Sequence, residues 1–259
     1  MTRSSRERFA EAVRTPDLAL ACALVAAEVT PDLDPSVALG DLDALAARVS
    51  GPDPVPALRQ ALAGFGGTPA DYDDLRASLL PDVLRRRRGL PLLLSVVWVE
   101  VARRAGIDAQ PVGLPGKVVV AVDGTYVDPF AGGVVLTMTE LDAIVRQVTG
   151  ASLRPEHLDP TPTDELVLRL LTNVRALVGR QPRSLTAART GLWAVELSLL
   201  LPRHPLALRR ERGELLVRLG DHVGGAVELE QWAEVVEGSD PVAAERARQQ
   251  ARSSRARLN

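Results

Sequence analysis

Residues 92–106, LLLSVVWVEVARRAG, decide how this chain folds. The first half is apolar apart from Ser95, while Glu100, Arg103 and Arg104 enter in the second half and Gly106 ends the run. That pattern predicts an α-helix over Leu92–Ala105. A helix with so little polar surface must be covered on several sides, which puts it in the middle of a domain.

The pattern then changes. Lys117–Val122 is rich in valine, Asp123-Gly124 is a two-residue hairpin signal, and Thr125–Val127 reads as the returning strand. After Gly132-Gly133, Val134–Leu136 reads as a third short strand. A buried helix followed by a small antiparallel sheet is an α+β arrangement. Upstream, helices are expected at Ser4–Val13, Asp17–Val29, Ser36–Val49, Val55–Ala63 and Asp74–Arg88, with breaks at Pro16, Pro31 and Pro35. Basic residues Arg85–Arg88 suit a helix C-terminus, and Gly89 suits the left-handed position after it.

Downstream of Asp164 the chain reads as five helices: Glu165–Val178, Ser184–Leu201, Pro205–Leu219, Val223–Val236 and Pro241–Leu258. Helix pairs with a period in the mid-thirties suggest tetratricopeptide-like repeats. Gly213–Pro241 fits best, through Leu216, Leu219, Gly220, the small Ala226 and Asp240-Pro241. Asp159–Thr163, with Pro160 and Pro162, reads as a linker. Two domains are therefore expected, residues 1–158 and 159–259.

Composition excludes several classes of function. Among 259 residues, 46% are hydrophobic and 25% charged, as in ordinary globular proteins. The net charge of −2 argues against a nucleic-acid binder, whose face is usually basic. With one cysteine, Cys22, neither an internal disulfide nor a cysteine-based zinc site is available. Cys22 lies in an apolar run and reads as a small buried thiol. His157, His204 and His222 are scattered, so no metal site is expected. No phosphate-cradling, dinucleotide or nucleophile-elbow motif is present, and no cofactor is expected. Residues 1–10 lack an apolar leader and no run is long enough to span a membrane, so a cytoplasmic protein is expected.

Several stretches together resemble the bacterial SirB-type family, in which a transglutaminase-like domain precedes tetratricopeptide repeats. They are LRASLLPDVLRRRRGLP (75–91), VEVARRAG (99–106), VGLPGK (112–117), DPFAGG (128–133), LRLLTNV (168–174) and RRERGELL (209–216). The resemblance runs from Gly64 to the C-terminus. It implies a predominantly helical α+β fold: a transglutaminase-like, papain-like core with a small antiparallel sheet, then an all-α tetratricopeptide-like domain.

Enzymes of that superfamily place a cysteine at the start of the central helix, a histidine on the next strand and an aspartate on the one after. The thiolate attacks an amide carbonyl, the imidazole moves its proton, and the carboxylate orients the imidazole. By resemblance these positions are Pro91, Lys117 and Asp128 here, so only the aspartate is retained. Proline at the first position is common in the SirB-type family; lysine at the second departs from its G-x-P-G-H pattern. Ser95, the nearest hydroxyl, reads as bonding back to a helix carbonyl. Glu100 and Arg103 can pair across one helix face. Lys117 and Asp128 are expected to form an ion pair; a buried lysine can alternatively act as base or nucleophile. Ser95, Glu100, Arg103, Lys117 and Asp128 are the candidate binding residues. The leading expectation is a non-catalytic interaction or scaffold module whose helical half takes a protein or peptide. The competing one is an amide- or acyl-transfer enzyme that uses Lys117 and Asp128 in place of the lost dyad.

Overall fold

The computed structural model describes residues 3–30 and 32–257. The break expected at Pro31 and the helix end expected at Leu258 lie outside the described residues. The chain forms two compact units, Met1–Leu170 and Leu171–Asn259. The fold is α+β and predominantly helical, with one four-stranded antiparallel sheet among the described residues.

The first unit begins with α1 (Arg3–Ala12), α2 (Leu18–Val29), α3 (Pro35–Ala46), α4 (Pro54–Ala61) and α5 (Leu80–Arg86). The central helix α6 follows at Pro91–Arg104. Proline suits its first turn, where the missing N–H would have no helical partner, and it holds Leu90 extended (φ −71°, ψ 157°). Every residue from Pro91 to Ala102 is buried, by packing against α2, α3, α4, α5 and the first two strands of the sheet.

Strands β1 (Ala109–Leu114), β2 (Lys117–Val122), β3 (Thr125–Asp128) and β4 (Val134–Val135) run in that order across the sheet. Asp123 and Gly124 both take positive φ (44° and 76°), as a type I′ hairpin turn requires. The valine run in β2 reflects cover on both faces. One face meets α6, and on the other Val119 packs with Leu141 and Val145 of α7 (Met138–Thr149). Helix α8 spans Thr163–Arg180. The second unit then stacks α9 (Leu185–Ser198), α10 (Ala207–Arg218), α11 (His222–Val236) and α12 (Pro241–Ala256), each against the next. No helix among the described residues is long and apolar enough to cross a membrane.

Two expectations need correction, and two further elements, β1 and α7, have no counterpart among them. In place of one helix over Asp74–Arg88 there is a 3₁₀ turn at Leu75–Ser78, preceded by another at Pro69–Asp73, and then the short α5. Asp74 caps the second turn by accepting from Arg76 N, and Pro81 starts α5. The left-handed residue after α5 is Arg87 (φ 53°) and not Gly89, whose role is close packing: a Cβ there would lie 2.7 Å from Val83. Strand β1 was concealed by Pro111 and Gly113, residues that ordinarily weaken a strand. Here the Pro111 carbonyl accepts from Thr161 N, and a Cβ on Gly113 would meet Arg169 at 2.5 Å. Helix α7 was also unread, although Thr137 and Glu140 form a capping box.

The segment Asp159–Thr163, expected as a linker, is bonded to the sheet. Pro160 bridges to Val112, Gly113 N donates to Thr161 Oγ1 (2.7 Å), and Arg169 donates to Leu114 O (2.8 Å). These bonds tie residues 160–169 to the sheet, and the first compact unit runs to Leu170.

Gly133 tests the packing beside α6. It has φ 79°, and a Cβ would fall 2.2 Å from the ring of buried Trp98. Gly124 also has positive φ but has nothing within 4 Å. Gly133→Ala should therefore cost about 2–4 kcal/mol in urea unfolding, from overpacking plus strain, and Gly124→Ala about 1 kcal/mol from strain alone. Equal costs would contradict this packing.

Candidate functional site

The start of α6, the start of β2 and the end of β3 meet at one place, and four of the expected residues gather there. Pro91 opens α6 and is buried. Ser95, one turn on, is fully buried, and its hydroxyl lies 2.8 Å from Pro91 O and 3.2 Å from Val118 O. Its single proton is thus committed to main-chain carbonyls and ties the helix start to β2.

Lys117 and Asp128 face each other across the β2–β3 pair and form an ion pair, Nζ to Oδ2. The Asp128 side chain is 7% exposed and that of Lys117 24%. The second Asp128 oxygen accepts from Phe130 N (3.0 Å) and so caps the 3₁₀ turn Pro129–Ala131. Main-chain Asp128 O accepts from Gly133 N (2.8 Å). The Lys117 ammonium also sits 5.8 Å from the centre of the Phe130 ring. Tyr72 packs edge-on against the same ring at 6.4 Å. Burial, and then the Asp128 charge, push its phenol above the usual range.

Two neighbours escaped sequence reasoning. Tyr72 reaches the site through the 3₁₀ turn at Pro69–Asp73, far from the other residues in sequence. Arg169 donates to Leu114 O and Lys117 O, clamping the β1–β2 turn from α8. Burial lowers its pKa, with Glu165 working in the opposite direction. Nothing local in the sequence distinguishes either residue from its neighbours.

Glu100 and Arg103 are not part of this cluster. They lie further along α6, about 14 Å and about 18 Å from its start at Pro91. Glu100 is buried and bonds chiefly to Arg104, whose Nε also reaches Asp43 (2.8 Å). Arg103 is the looser partner at 3.8 Å, and its Nε donates to Ala109 O. Both arginines therefore join α6 to other elements, Arg104 to α3 and Arg103 to β1. Burial raises the Glu100 pKa, and the Arg104 hydrogen bond and the charges of Arg104 and Arg103 offset this only in part.

The remaining thiol and imidazoles are elsewhere. Cys22 is buried in α2, and burial, then the charges of Glu100 and Asp17, hold its proton on. His157 Nδ1 accepts from Arg154 N, His204 contacts Leu201 O, and His222 lies on α11. Among the described residues no group of three His, Cys, Asp or Glu side chains could hold a metal ion. Chemically, the cluster can hold charge and fix strand ends.

The helix start, the β2 residue and the β3-end aspartate that converge here are the positions that the resemblance assigns to a transglutaminase-like core. The transglutaminase-like superfamily model matches residues 36–172, so the chain belongs to that superfamily. More narrowly, it is 34% identical to a UPF0162 protein of Xylella fastidiosa over 66% of this chain and 63% of that protein. It is 30% identical to a UPF0162 protein of Pseudomonas aeruginosa over 70% of this chain and 72% of that one. The chain thus spans less than two thirds of the Xylella relative's length. A shorter match, 30% identical over 34% of this chain, occurs in mouse F-box only protein 21, of which it covers 16%. No solved structure matches.

The Glu100 environment has a definite pH signature. The folded protein holds this proton more tightly than the unfolded chain does. The contribution of Glu100 to stability therefore falls as pH rises from its ordinary value of 4.5 through the raised folded value. Carbon-13 titration of the Glu100 carboxyl should give a midpoint above 4.5. A midpoint at or below that value would contradict the burial-dominated account.

Proposed function

We propose that this chain is a non-catalytic transglutaminase-like protein that acts in the cytoplasm as an interaction or scaffold module. The observation that carries this reading is the Lys117–Asp128 ion pair. It occupies the positions where the resemblance puts the imidazole and its carboxylate, and Pro91 stands where it puts the thiol. The ion pair, the Phe130 N–H and the carbonyls around Ser95 engage every polar side chain that the residue-by-residue comparison brought to this place.

On this reading the helical second unit is built from tetratricopeptide-like helix pairs and presents a surface to a protein or peptide. Two features support it. Helices α10 and α11 cross closely enough that a Cβ on Gly225 would lie 2.7 Å from Gly213 O, and small residues at a crossing are what stacked helix pairs require. In addition, Val223, Val227 and Val235 leave part of α11 apolar and exposed, at 57%, 39% and 62%. Acyl transfer through Lys117 and Asp128 is the weaker reading, because it requires the ion pair to open before an amine is free to react.

The test is ammonia release from glutamine-containing peptides. Wild type and Lys117→Ala should both match the protein-free background, and Lys117→Ala should complement a deletion strain as well as wild type does. Release by wild type that Lys117→Ala abolishes, in a variant that remains folded, would overturn the proposal.

A further inference from the structure

A second feature of the first unit lies outside the degenerate site. A groove of about 560 Å³ runs along α3 and α5, with an apolar floor that includes Val37, Leu45, Phe65 and Leu84. Val37 is 61% exposed although it is β-branched and apolar. Three arginines line the groove, Arg48 just after α3 and Arg85 and Arg87 at the end of α5, against one carboxylate, Asp41. The chain as a whole carries a net charge of −2, so this excess of positive charge is local.

Two of the three arginines, Arg48 and Arg87, have no carboxylate partner among the described residues. Arg85 pairs with Asp82 on the surface. Among the described residues Arg48 has no acidic partner. Arg87 has only the Phe65 ring, 5.8 Å from its guanidinium, and a 3.3 Å bond to Ala63 O. Arg87 moreover takes the left-handed conformation, φ 53°, that glycine occupies without strain. The structure thus holds a guanidinium at the groove on a backbone that does not favour a side chain.

We infer that this groove binds an amphipathic, acidic segment of a protein partner, with apolar side chains on the α3–α5 floor and carboxylates at Arg48 and Arg87. The inference rests on the scaffold reading and adds a second, chemically defined docking face to it. The argument is charge complementarity combined with shape. An apolar floor takes side chains from one face of a helix, and unpaired guanidiniums recognise carboxylates. Asp41 and Arg48 are seven residues apart, about 10 Å along a helix, so a segment of two to three turns reaches both. Asp41 within the lining disfavours a uniformly anionic lipid surface and suits a segment that also presents an N–H or a cation.

The probe is a fluorescein-labelled peptide of about 12 residues with leucine at i, i+3, i+4 and i+7 and glutamate at most other positions. Its counterpart carries lysine for glutamate. The full chain should bind the acidic peptide, more weakly as salt rises, and bind the lysine peptide at least roughly tenfold less well. Arg48→Glu and Arg87→Gly should each weaken binding by roughly tenfold. Arg87→Gly should keep or raise the melting temperature, because it relieves strain, so its loss of binding cannot be ascribed to unfolding. Equal binding of the two peptides, binding unaffected by both substitutions, or no binding of the acidic peptide would each overturn the inference. So would Arg48- and Arg87-dependent binding to phosphatidylglycerol vesicles without peptide binding. None of these results would produce Lys117-dependent ammonia release, so failure of the groove is distinguishable from failure of the non-catalytic reading.

Discussion

A helix buried on every side leaves the polar groups on it and beside it only internal partners, and in this protein that constraint governs the rest. Helix α6 is covered from Pro91 to Ala102 by four helices and two strands. An unpaired polar group in such a setting costs about 1–3 kcal/mol, and an unpaired charge costs more. Ser95 therefore bonds to carbonyls, Glu100 to Arg104, and Asp128, at the edge of the same core, to Lys117 and the Phe130 N–H. These bonds hold helix and sheet in place.

The same constraint separates the roles of the two ion-paired clusters. At the start of α6 the Lys117–Asp128 pair, with the Asp128 bonds to Phe130 N and Gly133 N, fixes the turn that leads to Gly133. Further along, Glu100, Arg104 and Asp43 fasten α6 to α3, the helix that also forms one wall of the arginine-lined groove.

Much of this was legible in the sequence because the decisive signals are local. The apolar run at 92–102, the Asp123-Gly124 turn and the ordered motifs from Leu75 to Gly133 carry the superfamily fold, and the pairing of Lys117 with Asp128 follows from neighbouring strands. What was not legible depends on tertiary contacts. Strand β1 tolerates Pro111 and Gly113 only because Thr161 and Arg169 arrive from a distant segment. Arg87 takes the left-handed position after α5, while Gly89 packs against Val83. Tyr72 joins the site through a ring contact that no spacing rule encodes. Helix α7 is different, since its Thr137–Glu140 capping signature was present in the sequence and was not read.

The central claim is that Lys117 and Asp128 act on each other and not on a substrate, and a double-mutant cycle tests it most directly. Urea unfolding of wild type, Lys117→Met, Asp128→Asn and the double variant gives their coupling energy. With one side chain buried and the other partly exposed, the account predicts a favourable coupling of about 1–2 kcal/mol. A coupling indistinguishable from zero would mean that the two groups are not structural partners, and would contradict it.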